Sequence, residues 1–166
     1  MKSHFSTMAR YNAWANARLY AAARGLPDAS YRKHVGAFFG SLHGTLNHLL
    51  VTDRIWMRRM TGTGDHPATL DAIMFDDLQS LEAARKAEDE RIIRHVDGLS
   101  EEDIGRDLSY ATTKGVPHRN RLGDVLAHLF NHQTHHRGQA HAILTVLGIR
   151  EPQPLDLLAM YRDRTR

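Results

Sequence analysis

Apolar residues recur at helical spacing in four long stretches of the chain, and the stops between them are explicit. The first stretch runs from about Phe5 to Arg24, with Phe5, Met8, Asn12, Ala15 and Leu19 on one face and Gly25 and Pro27 beyond its end. The second runs from about Gly40 to Thr61 and stops at Gly62. A short amphipathic piece, Ser30 to Phe39, is expected to make one or two helical turns before it. The third spans roughly Phe75 to Asp97, with Gly98 as its stop. Leu78, Leu81, Ile92, Ile93 and Val96 form its inner face, and Glu82, Arg85, Lys86, Glu88, Asp89 and Glu90 its solvated one. The fourth covers about Leu122 to Leu147, closed by Gly148.

Between the third and fourth stretches the helical pattern fails. Ser100 to Asp103 reads as the capped start of a short turn. Leu108-Ser109-Tyr110 and Val116-Pro117-His118 flank Lys114-Gly115, which predicts a small hairpin or irregular insert. Pro152 and Pro154 open a tail in which Leu155 to Tyr161 adds a last turn or two of helix. Helices that each carry one apolar face bury it against one another, so the fold class is all-α, a four-helix bundle. At 166 residues the chain is expected to form a single domain, 1–166.

Composition narrows the class of function. The formal net charge is only +3 and the arginines are scattered among acids, so no basic stripe marks a nucleic-acid face. No apolar run approaches the roughly 18 residues that cross a membrane, and no signal peptide is evident. Cysteine is absent, which removes disulfides, thiolate metal ligands and a cysteine nucleophile together. A cytoplasmic protein is the expectation. Any metal must then be held by nitrogen and oxygen.

Twelve histidines are present, and five of them lie between His128 and His141. With His132 set at zero and about 100° per residue, Val125, Leu129, His136, Ala140, Ile143 and Leu147 fall between about 20° and 80°. His132 and His136 therefore lie in or beside the inward stripe of the fourth helix. His128 and His135 sit at the opposite margin, near enough to support a site or relay protons, and His141 points away. Two adjacent inward imidazoles are either satisfied by hydrogen bonds or share a metal. A third ligand must come from another helix. On the second helix His48 lies at the edge of the apolar face, whereas His43 is expected to face solvent, so His48 is the better candidate.

Two familiar metal motifs do not fit. A zinc-protease helix needs glutamate directly after its first histidine, where this chain has Gln133. A di-iron bundle needs paired glutamates, and the second helix has none.

Three blocks together resemble the DinB/YfiT-like metalloenzyme superfamily over essentially the whole chain. They are Tyr11-Asn12-Ala13-Trp14-Ala15-Asn16, then Ser41 to Leu49 with Asp53 and Trp56, then Asn131-His132 through His136-Arg137-Gly138-Gln139. The resemblance implies up-down-down-up connectivity and a divalent metal, commonly nickel or zinc, on His48, His132 and His136. It also implies a homodimer. Some relatives resemble enzymes that use a low-molecular-weight thiol, so the expected activity is a metal-bound thiol or water attacking a small electrophile, as in an S-transferase or a hydrolase. The alternative is a non-catalytic metal-containing bundle, either a small-molecule binder or a stress-associated dimer.

Other residues carry narrower expectations. Asn12 either supports the metal site and its substrate or makes a buried bond between helices. Arg137 reads by default as a surface or dimer salt bridge, with a substrate carboxylate as the other partner. Gly138 is expected to admit a close helix, and Trp14 and Trp56 to pack.

Overall fold

A computed structural model describes residues 1–163. Seven helices and one hairpin follow in the order α1 (Lys2–Ala23), α2 (Asp28–Tyr31), α3 (Leu42–Thr61), α4 (Leu78–Gly98), α5 (Glu101–Gly105), β1 (Asp107–Ala111), β2 (Pro117–Arg121), α6 (Leu122–Val146) and α7 (Leu157–Asp163). The four long helices α1, α3, α4 and α6 make the bundle.

Cross-helix contacts fix its connectivity. Ser6 meets Asp97 and Asn12 meets Asp89, so α1 and α4 run in opposite directions. Phe5 stacks on Phe130 and Asn12 meets Arg137, so α1 and α6 run the same way. Leu49 pairs with Gln133 and Trp56 with His128, so α3 opposes α6. The bundle is up-down-down-up.

Local chemistry explains the helix ends. Ser41 caps α3 by accepting from the Gly44 N–H at 3.1 Å, and Gly62 ends it in the left-handed region at φ 73°. Asp77 caps α4, and Ser100 with Asp103 forms a reciprocal capping box on α5. The stretch from Ser30 to Phe39 departs from the sequence expectation. The helical turn comes earlier, at Asp28–Tyr31, and Gly36 and Gly40 at φ 77° and 75° fold the remainder into a non-helical turn. In the hairpin, β1 and β2 pair antiparallel, with Asp107 opposite Arg121 and Ala111 opposite Pro117.

Two apolar clusters fill the ends of the bundle. One gathers Leu19, Tyr20, Leu46, Leu50, Leu81 and Leu144, and the other Phe5, Met57, Ile92, Val96, Leu126 and Phe130. Between them, on all four helices, lies a buried polar belt of Asn12, Asn16, Asp53, Arg85, Asp89, Gln133 and Arg137. This corrects the reading of α4. Arg85, Glu88 and Asp89, expected on its solvated face, are buried. No helix among the described residues is long and apolar enough to cross a membrane.

Candidate metal centre

His48 on α3 and His132 and His136 on α6 converge, each offering a ligand atom within 4.8 Å of the other two. Because α3 and α6 are antiparallel neighbours, the pair four residues apart on α6 presents two rings to one ring on α3. Ring centroids lie 4.3 Å apart for His132 and His136, 4.4 Å for His48 and His136, and 5.2 Å for His48 and His132.

Hydrogen bonding decides which nitrogens are free. His48 Nδ1 lies 2.7 Å from the Leu70 carbonyl, which can only accept, so Nδ1 carries the proton and Nε2 keeps its lone pair. That Nε2 is buried without a protein partner. An orphaned acceptor in the interior is costly, and a metal would satisfy it. His136 Nδ1 likewise donates to Gln139 Oε1 at 2.7 Å, leaving its Nε2 for an ion. Gln139 in turn meets His135 Nε2 at 3.2 Å.

The rings are held neutral. Burial drives the His48 pKa down to about 4, helped by His136 and opposed by the bond to Leu70. Burial first, then the neighbouring His136 and His48 rings, takes His132 down to about 3. His136 is also lowered, chiefly by burial. Neutral imidazole is the form that binds metal, so the donor set fits a divalent ion.

The walls of the site depend on residues that the sequence did not single out. Phe39 stacks on His48 with centroids 3.8 Å apart and planes 19° from parallel. Gly44 makes this possible, since a Cβ there would collide with the Phe39 carbonyl oxygen. Asn47, directly before His48, is fully buried and ties the 70–75 loop to α3. Its Oδ1 accepts from the Met74 and Phe75 N–H groups, and its Nδ2 donates to the Phe75 carbonyl. That loop supplies the Leu70 carbonyl to His48. The available signal was an asparagine in the middle of an otherwise good helix, where an amide needs a partner.

The remaining candidates fall in two places. His128 is exposed, with its ring 5.8 Å from His132 and 5.3 Å from Trp56, beside a cavity of about 240 Å³ walled by Trp56, Tyr110, Asn120, Asp124, Val125 and His128. Asn12 and Arg137 lie in the polar belt. Asn12 donates to Asp89 at 3.0 Å and accepts from Arg137, a buried bond between helices. Arg137, expected at the surface, is 2 % exposed and packs over the Tyr11 ring. His43, expected in solvent, is buried against Tyr31 with Nε2 3.2 Å from the Phe75 carbonyl. Gly138 admits no close helix, for a Cβ there would meet nothing within 4 Å. The glycine that faces another helix closely is Gly123, against Ile104 of α5, whereas Gly44 faces the turn at Phe39.

An up-down-down-up bundle with three histidines that could hold a metal gathered between its second and fourth long helices defines the class of this protein. The DinB family model matches residues 1–164, and the chain belongs to the DinB family. It is 24% identical over 144 residues to Protein DinB of Bacillus subtilis (strain 168), covering 83% of each chain.

Proposed function

We propose that this DinB family protein is a metal-dependent enzyme that activates a low-molecular-weight thiol or water for attack on a small electrophile. Nickel or zinc is the proposed ion, held by His48, His132 and His136. The observation that carries the reading is the set of three imidazoles that each offer a ring nitrogen within 4.8 Å of the other two, with His48 Nε2 buried without a protein partner. An ion on three neutral ligands keeps its full charge, and that charge would acidify a bound thiol or water.

The chain's own residues prepare the ligands. The Leu70 carbonyl and Gln139 Oε1 each accept a hydrogen bond from a ring N–H, which fixes the tautomers and makes the opposite nitrogens better ligands. Phe39 covers one face of His48 and keeps water from it. The ligand atoms include no carboxylate, so nothing in the set neutralises the ion.

Metal analysis of protein purified without chelator is the test. One divalent ion per chain is expected in the unaltered protein, and loss of it in His48→Ala and His136→Ala. Metal-free unaltered protein that takes up neither nickel nor zinc would overturn the reading. Turnover of an electrophile panel with glutathione, bacillithiol or mycothiol, and with no thiol added, then separates thiol from water chemistry.

A further inference from the structure

The residue after each candidate ligand is buried and meets the polar belt, Leu49 through its backbone carbonyl and Gln133 and Arg137 through their side chains. Leu49 follows His48, Gln133 follows His132 and Arg137 follows His136. Neighbours on a helix point about 100° apart, so a ligand turned to the site puts its successor on the bundle interior. At Gln133 this produces a crosslink. Its Nε2 reaches across from α6 to α3, 2.9 Å from the Leu49 carbonyl and 2.5 Å from Asp53 Oδ1. Arg85 on α4 braces the same two acceptors, 2.7 Å from Asp53 Oδ2 and 3.4 Å from the Leu49 carbonyl.

Stability alone does not account for Gln133. The side chain is fully buried, and its Oε1 has no partner among the described residues. Such an amide carries a desolvation cost that a leucine or methionine of similar volume would avoid. What the amide supplies is register. It ties the residue after His132 to the residue after His48, and metal bonds tolerate only about ±0.2 Å.

We propose that Gln133 is a positioning residue for the metal centre, locking α3 against α6 through the Leu49 carbonyl and Asp53 so that His48 meets His132 and His136. This rests on the metal reading above and adds a residue that touches neither metal nor substrate.

The test compares Gln133→Leu with Leu144→Ala, a buried apolar change outside the belt that lowers stability without touching the crosslink. Zinc affinity is measured by chelator competition, the cobalt-substituted site by its visible spectrum, and stability by urea. Gln133→Leu is expected to weaken zinc binding on the order of 10–100-fold and to alter the cobalt spectrum. Leu144→Ala should lower the urea midpoint and leave both metal readouts alone. Gln133→Glu sets two carboxylates face to face and leaves the Leu49 carbonyl without its donor from α6, so it should also weaken zinc binding. Wild-type zinc affinity in Gln133→Leu overturns the proposal, as does a loss in Leu144→Ala that is equally large. Gln133→Met replaces the leucine variant if that one does not fold. If the unaltered protein binds no metal, the metal reading fails, and the crosslink is judged in metal-free protein by histidine ¹⁵N shifts. Displaced His48 and His132 signals in Gln133→Leu, with none in Leu144→Ala, uphold it; unmoved signals end it.

Discussion

The two polar clusters of this bundle share helices and lie within one turn of each other, yet they are built on opposite plans. In the belt, Arg85 lies 2.7 Å from Asp53 and 3.0 Å from Asp89, while Asn12, Asn16 and Gln133 donate to the same carboxylates. Arg85 meets both carboxylates as buried ion pairs. At the histidine cluster, bases of one kind are packed together, with Nε2 of His48 left unpaired. The belt balances its charges internally. The cluster presents lone pairs to something else. Removing one member of the belt therefore has the largest expected effect on the fold. Arg85→Met leaves Asp53 and Asp89 buried without their cation, at a cost of about 3–5 kcal/mol. Urea unfolding at pH 8 measures it, and the cost should shrink at pH 5, where the carboxyls can protonate. A loss below about 1 kcal/mol would break the distinction between a structural belt and a functional cluster.

The same contrast marks what the sequence made legible. Apolar periodicity and glycine stops located the long helices within a few residues, and the stripe on α6 turned His132 and His136 inward. The belt was hidden. A charged run such as Arg85 to Glu90 reads as a solvated face, because nothing local to α4 reveals that Asp53 and Asn16 wait on other helices. Arg137 and His43 were placed outside for the same reason. Their burial depends on Asn12 and on the Phe75 carbonyl, partners far away in sequence. The box at Ser100 involves residues three apart, and such a local bond can be read from spacing alone.

Acid should separate the clusters by sign. Free imidazole titrates near 6.5, whereas His48 stays neutral to about 4 and His132 to about 3 in the folded chain. The unfolded chain takes up these protons first, so stability held by the neutral rings is complete above about pH 6.5 and drains away as pH falls towards 4 and 3. Asp53 acts the other way. Burial raises it from 3.8 to about 6, so the folded chain binds its proton first and gains stability as pH falls through that window. Asp89 is raised too, again by burial. Two histidines outweigh the Asp53 term, and metal-free protein should lose on the order of 3 kcal/mol between pH 6.5 and 4.5. Replacing both His48 and His132 by alanine removes the larger slope. Urea midpoints of that variant should fall less over the same interval than those of the unaltered protein, because His136 and His95, also lowered by burial, still titrate. A variant that still loses stability as the unaltered protein does would show that the histidines are not the acid-sensitive element.

The smallest effect expected lies on the outer face of α6, between Arg137 of the belt and Gln139, which holds His136. Gly138 sits inside a helix, is exposed, and has open space where a Cβ would go. Glycine in a helix interior costs about 0.5–1 kcal/mol relative to alanine, because it has more backbone freedom to lose. Gly138→Ala should therefore raise stability by about that amount and leave metal content unchanged. The sign matters more than the size. A loss of stability that grows with protein concentration would mean that a second copy closes over this face. Sedimentation of the two proteins side by side would then show the dimer weakened by a single methyl group. A gain, independent of concentration, leaves this stretch of α6 facing solvent.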